Sequence, residues 1–342
     1  MKMVHVRAVV LSAIAVAMAV FLYHVDWHAT STYLTQLGPS APLVLLPYAF
    51  VLSCDTLGWK ASFEQPNLPF ARLWRIRTAT EAVSNSLPAG VAVGETLKTM
   101  MLTRAFGMPL ADAAANVIVS KFALATAHIV FLFCGLWLGA STLSQTGRSG
   151  MLGVYVAVLA AFFALLMAGV KLAQNGALSR LLAGLVRIAP ARAGSFLARL
   201  TEPLMGLDRS LSVLGRLPRA QIAASIACFF VGWLSLAFEN WFILSLLTPH
   251  ASFSAALSME AFVSIVRMAF FFLPGGFGAQ DVSFYTLLNL WGLPDAEAVA
   301  TAFMLIKRAK EVCWIALGYL LLWVRGEPIA QTAAQPATSV LI

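Results

Sequence analysis

Long apolar segments, separated by short polar stretches, dominate the pattern of residues along this chain. A helix that crosses a bilayer needs about 20 mostly apolar residues. Segments of roughly this length predict six spans, at residues 8–23, 42–58, 111–139, 151–170, 220–247 and 296–324. Because only helices and closed barrels satisfy their backbone groups in hydrocarbon, the pattern predicts an all-α, polytopic membrane helix bundle of about six full spans.

Two further segments, 78–107 and 255–292, break this pattern with proline and glycine. The second contains Leu273-Pro274-Gly275-Gly276-Phe277-Gly278, in which proline removes a backbone donor and glycines make a turned backbone cheap. Within a membrane such a break is tolerated only where it is buried in protein or lines a wet cavity. Both segments are therefore predicted to be broken or re-entrant helical hairpins.

The two broken segments align with each other. When Pro88 is set on Pro274, Gly90 falls on Gly276, Glu95 falls on Asp281 and Glu81 falls on Arg267. After one gap, Lys121 lies one residue out of register with Lys307. This agreement predicts an internal duplication, and paired broken helices are typical of the central site of a transporter.

The distribution of Lys and Arg predicts the topology. Basic residues concentrate at 60–77 and 172–219, which we predict to be cytoplasmic, whereas 24–40 and 249–253 contain neither Lys nor Arg and are predicted to be external. Both termini are then cytoplasmic, and we expect the protein to lie in a bacterial inner (plasma) membrane.

This topology constrains the broken segments. Residues 78–107 would have both ends inside and residues 255–292 both ends outside, so the repeats would be inverted and would dip from opposite faces toward one midplane site. In the alternative, residues 252–272 span the membrane fully and only the second limb re-enters.

Four regions are predicted: a first membrane half at 1–171, a basic cytoplasmic insert at 172–219, a second membrane half at 220–325, and a disordered tail at 326–342. The arginines of the insert are spread among Leu and Ala, which favours an amphipathic helix that lies on anionic lipid headgroups. The first apolar segment could pass for a signal peptide. We interpret it as a retained span because the rest of the chain is also membrane-embedded.

Composition agrees with a membrane protein and excludes several other classes. Of 342 residues, 60% are hydrophobic and only 11% are charged, and the mean hydropathy is +0.82, whereas about a quarter of a soluble domain is charged. The net charge of +8 lies in loops without a nucleic-acid-binding motif, so no nucleic acid partner is expected. The four cysteines are far apart, and no metal or other cofactor is predicted. No catalytic motif is found, so we do not expect an enzyme.

Charged residues in the broken segments are the candidate site, because an ionisable residue inside a membrane is a functional hypothesis by default. Glu95 and Asp281 are the predicted centre, since each follows a glycine-bearing break at the start of a short helix. A carboxylate there could contact a lipid headgroup or carry a proton, or it could simply cap the helix.

Further residues are predicted to complete this site. The additional substrate-binding candidates are Glu81, Arg267, Lys121, Lys307, Asn85 and Gln280, with the three cations as partners of the carboxylates. The backbone candidates at the breaks are Pro88, Gly90, Pro274, Gly275, Gly276 and Gly278. Outside this set, Glu260 and Arg267 share a helix face, Lys307 and Glu311 could pair at i, i+4, and Glu239 could be hydrogen-bonded within the bundle.

These motifs resemble the flippase-like integral membrane family that includes the transmembrane region of lysylphosphatidylglycerol synthase. The motifs are Leu273-Pro274-Gly275-Gly276-Phe277-Gly278 with Asp281, Gly292-Leu293-Pro294, and Arg77, Glu81, Asn85, Leu87-Pro88 and Gly94-Glu95. The first half is most similar to the hopanoid-biosynthesis-associated branch, which implies movement of hopanoid lipids. Family members often have Glu where Asp281 stands, and Gly-Gly-Glu where this chain has Val93-Gly94-Glu95.

The resulting hypothesis is a membrane lipid transporter or flippase whose site lies between the two broken helices. Two alternatives stay open: a scaffold for a lipid-synthesis complex, and a membrane-embedded enzyme that modifies lipids. The sequence specifies neither the lipid nor the energy source, and it leaves the oligomeric state unknown.

Overall fold

The computed structural model describes residues 27–64, 67–87, 90–145, 216–270, 273–290 and 295–324. Every regular element within these ranges is helical, which confirms the predicted all-α class. The α-helices are α1 Trp27–Gln36, α2 Leu46–Ala61, α3 Phe70–Ser86, α4 Gly90–Phe106, α5 Leu110–Gln145, α6 Arg219–Leu247, α7 Phe253–Ala269, α8 Ala279–Leu290 and α9 Ala296–Trp323. Two 3₁₀ segments, Gly38–Leu45 and Pro274–Gly276, precede α2 and α8.

Three helical segments in the described part of the chain are long and apolar enough to cross a membrane. They are Gly38–Ala61, Leu110–Leu138 and Arg219–Leu247, and they confirm the predicted spans at 42–58, 111–139 and 220–247. Helix α9 has 28 residues, five of them charged, at the position of the predicted last span. The predicted spans 8–23 and 151–170, the insert up to residue 215 and the tail lie outside the described residues.

The first broken segment is a helical hairpin, as predicted. Helix α3 ends at Ser86, and Leu87 is extended with φ −110° and ψ 145°, the conformation favoured before a proline. A Cβ atom on Gly90 would lie 2.3 Å from the backbone oxygen of Ser84, and one on Gly94 would lie 2.8 Å from that of Thr80. These two glycines therefore let α4 run back closely along α3. Pro88 itself lies outside the described residues.

The second break is a sharp turn between α7 and α8, also as predicted. Pro274 begins the 3₁₀ turn, and Gly275, Gly276 and Gly278 have φ angles of +53°, +64° and +83°. Side-chain-bearing residues rarely adopt this left-handed region, so the turn requires its glycines. At the first break, by contrast, glycine is required for space between two helices.

Helices from the two predicted halves are packed into each other. Helix α2 packs along α6, and α3 packs along α9. At the second contact, a Cβ atom on Gly318 of α9 would lie 2.4 Å from the Cβ of Ala82 on α3. Such close contact places the first broken segment directly against the last helix.

Candidate functional site

The two breaks meet at one place in the bundle. A Cβ atom on Gly275, in the second break, would lie 3.3 Å from the backbone oxygen of Asn85, in the last turn of α3. The turn Pro274–Gly276 therefore packs against the end of α3 where the first break begins. The sequence predicts this juxtaposition, because paired broken helices converge on a shared site.

A chain of polar contacts runs along the first of these helices. Arg77 Nη2 donates to Asp55 Oδ2 of α2 at 2.7 Å, and Arg77 Nη1 donates to Glu81 Oε2. The Asn85 amide lies 3.5 Å from Glu81 Oε1. Residues 77, 81 and 85 are spaced four apart and so share one helix face. We call Asp55, Arg77, Glu81 and Asn85 the first polar chain.

A second polar chain, with glutamine in place of asparagine, joins α8 and α9. Arg308 donates to Asp281 from Nε at 2.9 Å and from Nη2 at 2.6 Å, and its Nη1 donates to Glu311 Oε2. Gln280 Nε2 donates to Glu311 Oε1 at 3.2 Å. Asp281 Oδ2 also accepts the backbone N–H of Gly278 at 2.8 Å, so it caps the start of α8. We call Asp281, Arg308, Glu311 and Gln280 the second polar chain.

The two polar chains face a common cavity between α2, α3 and α9. Glu81 and Asn85 from the first chain and Glu311 from the second line it, together with the rings of Tyr48 and Trp314. The cavity is wide enough for water. The indole Nε1 of Trp314 is buried and has no hydrogen-bond partner in the described structure. The site therefore combines carboxylates from both halves with two aromatic rings.

Glu95 has a different environment from Asp281. It lies in the second turn of α4, five residues after the helix begins at Gly90. Its carboxylate accepts from Lys98 Nζ at 3.0 Å and from Lys121 Nζ at 2.6 Å. Lys121, one of the three cations expected to partner the carboxylates, therefore contacts Glu95. The capping alternative holds for Asp281 but is wrong for Glu95, since Glu95 is beyond the first turn.

A second carboxylate held by two lysines occurs in the other half. Glu239 is fully buried, and its Oε1 accepts from Lys310 Nζ at 2.6 Å and lies 3.4 Å from Lys307 Nζ. Lys307 also donates to Asn240 Oδ1 at 2.6 Å. The other oxygen, Oε2 of Glu239, has no hydrogen-bond partner within the described residues. The predicted burial of Glu239 within the bundle is confirmed.

Arg267 extends this network. Its Nη2 donates to Glu260 Oε1 at 2.8 Å, and Glu260 Oε2 accepts from Asn240 at 2.7 Å. The predicted shared face of Glu260 and Arg267 is thereby confirmed. The aliphatic stem of Arg267 lies against the second break, where a Cβ atom on Gly276 would approach it to 3.1 Å.

The predicted pairing of Lys307 with Glu311 is wrong. Neighbouring residues on a helix point about 100° apart, so Lys307 and Lys310 share the face toward α6, whereas Arg308 and Glu311 share the face toward α8. Arg308, and not Lys307, is the cation that contacts Asp281. A shift of one position along α9 therefore changes whether a basic residue contacts α6, as Lys307 does, or α8, as Arg308 does.

Several residues of these networks were not among the sequence candidates. They are Asp55, Arg77, Lys98, Arg308, Lys310, Glu311, Tyr48 and Trp314. Helical spacing could have indicated three of the contacts, because Arg77 precedes Glu81 by four, and Glu95 and Arg308 precede Lys98 and Glu311 by three. Asp55 lies far from its partner in sequence, and Trp314 carries no charge, so neither gives such a signal.

The buried charges inside the described part of the bundle are paired. Buried charges are costly unless they are paired and hydrogen-bonded. Among the described residues, each predicted half contains an arginine between two carboxylates and a carboxylate between two lysines. Among the residues that the structure describes, no group of three or more His, Cys, Asp or Glu side chains could hold a metal ion.

Comparison with known proteins identifies the family. The family described as "Lysylphosphatidylglycerol synthase TM region" matches residues 6–307, most of the 342-residue chain. No curated protein and no solved structure matches the chain. The match includes both broken segments and all of the first polar chain, and it ends at Lys307, one residue before Arg308. The chain is therefore a membrane protein that belongs to the lysylphosphatidylglycerol synthase transmembrane-region family.

Proposed function

We propose that the protein is a lipid transporter of the flippase type that moves a lipid across or out of the bacterial inner membrane, and that it is not an enzyme. Membership of a membrane family related to lipid handling supports the choice of lipid as substrate. A hopanoid is our candidate lipid, on the resemblance of the first half of the sequence to the hopanoid-associated branch. Anionic headgroups at residues 172–219 remain a predicted partner.

The observation that carries the proposal is the cavity between α2, α3 and α9, which has two carboxylates and an amide among its lining residues. A lipid headgroup crosses hydrocarbon only at a high cost in desolvation unless polar groups replace its water. Here Glu81, Asn85 and Glu311 supply such groups between helices from both halves. The lipid tails need no comparable path, because they can stay in the surrounding bilayer while the headgroup moves.

The breaks supply the points at which the bundle can change shape. Helical hydrogen bonds are interrupted at Leu87 and again between α7 and α8. Opening the contact between α3 and α9 would widen the cavity from one side. In alternating access, broken helices of a repeat move around a fixed central site. Glu95 and Asp281 would hold their segments to α5 and α9 during this movement.

A transport assay tests the proposal. Purified protein is reconstituted in vesicles with a labelled lipid, and the rate at which label moves between leaflets is measured. We expect the double substitution Glu95→Ala, Asp281→Ala to abolish transport while membrane insertion is retained. The substitution Glu64→Ala is the control, because Glu64 is an exposed acid next to α2. Unchanged transport in the double variant would refute the site assignment.

The same preparations separate the alternatives. Lipids that co-purify with the wild type and with the double variant are identified by mass spectrometry. One lipid class enriched with the wild type and lost from the variant would name the substrate and support a transporter. A chemically altered lipid formed by the pure protein would support an enzyme. Bulk lipid in both, with a lipid-synthesis defect in cells that lack the protein, would support a scaffold.

A further inference from the structure

We infer that the contact between α3 and α9 is the gate of the cavity, and that a hydrogen bond between Ser86 and Tyr319 is the latch that holds this gate closed. The inference rests on the proposed function only where it makes opening of the gate a step of transport. Opening itself is a property of the bundle and can be measured without a lipid substrate.

The contact between α3 and α9 borders the cavity. Thr78 and Ala82 of α3 line the cavity, and Ile315 of α9 lines it as well. Three residues after Ile315, a Cβ atom on Gly318 would lie 2.4 Å from the Cβ of Ala82 and 2.8 Å from the backbone oxygen of Thr78. The residues of α3 that α9 closes upon are therefore themselves cavity residues. Separation of the two helices at Gly318 would enlarge the cavity.

One side-chain hydrogen bond joins α3 to α9 within the described residues. The hydroxyl oxygens of Ser86 and Tyr319 lie 2.6 Å apart. Because the Ser86 hydroxyl donates its one proton to the backbone oxygen of Ala82 at 2.8 Å, the Tyr319 hydroxyl is the donor in this bond. Removing the Tyr319 hydroxyl would therefore leave the two helices without a polar link, and Ser86 would keep its bond to Ala82.

Two other contacts between the predicted halves have more hydrogen bonds. Two side-chain bonds join α2 and the turn after it to α6, and two join α5 to α7. They are Ser225 to Gly58 and Gln221 to Phe63 in the first contact, and His128 to Ser264 and Ser258 to Gly135 in the second. Because lipid tails are as apolar as buried side chains, hydrogen bonds between helices add to packing in holding a membrane bundle together. The contact between α3 and α9 is the one of these three that depends on a single bond.

Charges on α3 and α9 favour opening. Glu81 and Glu311 line the cavity from these two helices, and each is bound by an arginine of its own helix. Each polar chain has one arginine and two carboxylates, a formal charge of −1, so the two walls repel each other across the cavity. Two other cations lie close, Lys310 beside the Tyr48 ring and Arg267 beside the second break, and each is bound to a carboxylate of its own half. None of the ion pairs within the described residues joins α3 to α9, so the latch opposes this repulsion.

The latch lies at the end of α3 that can move. Ser86 is the last residue of α3, and the chain is extended at Leu87. No helix therefore continues beyond the latch to hold the last turn of α3 in place. The turn of the second break packs beside this end of α3, where a Cβ atom on Gly275 would lie 3.3 Å from the backbone oxygen of Asn85. Release of Ser86 would thus free a helix end that lies next to both breaks.

The first test measures how accessible the cavity wall is. Ile315→Cys is introduced into full-length protein whose four native cysteines are replaced by alanine, and its reaction rate with a maleimide is measured in lipid nanodiscs by mass spectrometry. The closed cavity has room for a water-sized group and not for a maleimide, so the reaction requires opening. We expect Tyr319→Phe to raise this rate about threefold, the effect of an average hydrogen bond between helices in a membrane.

Tyr33→Phe is the matched control. The Tyr33 hydroxyl donates to Asp295 at 3.0 Å and so also joins the two predicted halves, but neither residue lines the cavity. The control should leave the reaction rate unchanged. Gly318→Ala is a second way to open the gate, because the added Cβ would clash with Ala82 and force the helices apart. It should raise the reaction rate with the latch residues intact.

A reversible cross-link tests the closed state. Ser86→Cys and Tyr319→Cys are combined in the same cysteine-free protein and joined by a short bis-thiosulfonate, which a reducing agent removes. We expect the cross-linked protein to move no labelled lipid between leaflets. After reduction, the same protein lacks both the cross-link and the latch, and it should move lipid at least as fast as the wild type.

An unchanged reaction rate in Tyr319→Phe would overturn the inference. An equal rise in Tyr319→Phe and Tyr33→Phe would also overturn it, because loss of the hydroxyl would then act through general loosening of the bundle. If lipid moves while the cross-link is in place, the transport function stands and the gate fails. If Tyr319→Phe raises the reaction rate and neither the wild type nor any variant moves lipid, the gate stands and the transport function fails.

Discussion

The two polar chains have the same chemistry and different origins. In both, one arginine joins an aspartate to a glutamate, and an amide side chain lies against the glutamate. In the first chain, arginine, glutamate and amide all lie on the broken helix α3, and the aspartate comes from α2. In the second, arginine and glutamate lie on the unbroken helix α9, and aspartate and amide come from α8.

This difference shows that the predicted duplication does not account for the site. The sequence alignment matches Asp281 with Glu95, yet Asp281 contacts an arginine and Glu95 contacts two lysines. The alignment matches Glu81 with Arg267, which belongs to neither polar chain. The same Asp–Arg–Glu arrangement therefore arises from positions that the repeat does not relate. A shared requirement for paired charges beside one cavity explains the likeness better than descent of each residue.

The largest expected effect separates the two carboxylates that are held by lysines. Glu239→Gln would leave Lys307 and Lys310, both buried, without their counter-charge, and breaking such a pair costs about 3–5 kcal/mol. Glu95→Gln should cost only about 1–2 kcal/mol, because Glu95 and Lys121 are 22% and 39% exposed, even though its other partner, Lys98, is buried. The free energy of unfolding is measured by SDS titration in mixed micelles. Equal costs would show that burial does not distinguish the two halves.

Next come the arginines of the polar chains. Arg77→Gln and Arg308→Gln each leave two carboxylates without a cation, and we expect each to lower the free energy of unfolding by about 2–4 kcal/mol. The side chains are 12% and 18% exposed, so the two costs should agree within about 1 kcal/mol. Arg104→Gln, at an exposed position on α4, is the control. If only one of the two arginine substitutions lowered the free energy of unfolding strongly, the two polar chains would not contribute equally to stability.

The sequence predicted the frame of this site because its physical signals are local. Apolar length fixed three spans, and Pro274 with its neighbouring glycines marked the second break. Aligning the two broken segments singled out Glu95 and Lys121, which are in contact. Each of these inferences needs only the properties of a short segment or the comparison of two segments.

The partners of the other charges could not be predicted, because they depend on how each helix is rotated and which helix lies beside it. Lys307 and Arg308 are adjacent in sequence and equally basic, yet they contact Asn240 and Asp281 on different helices. Asp55 meets Arg77 only because α2 and α3 are neighbours in the bundle. Trp314 lines the cavity only because α9 is turned so that its ring faces α2 and α3.

Glycine substitutions test whether the two breaks need glycine for different reasons. We expect them to lower the free energy of unfolding less than the charge substitutions do. Gly90→Ala places a Cβ 2.3 Å from the backbone of α3, so the helices must separate, and we expect a loss of about 2–3 kcal/mol. Gly275→Ala places alanine at φ +53°, where the strain is about 1–2 kcal/mol. SDS titration measures both. A greater cost at Gly275 would mean that space is not what glycine provides at the first break.

The smallest effect distinguishes the two amides at the ends of the polar chains. Gln280→Ala removes a 3.2 Å hydrogen bond to Glu311 and should cost about 1 kcal/mol, whereas Asn85→Ala removes a 3.5 Å contact at the limit of hydrogen bonding and should cost under about 0.5 kcal/mol. Transport should show the opposite order, because Asn85 lines the cavity and Gln280 does not.

Unfolding free energy and transport rate, measured on the same two variants, therefore distinguish residues that hold the helices together from residues that contact the substrate. If Gln280→Ala slowed transport more than Asn85→Ala did, the second polar chain and not the cavity wall would control movement of the headgroup. The path of the lipid would then lie nearer to α8, where Asp281 and Arg308 meet.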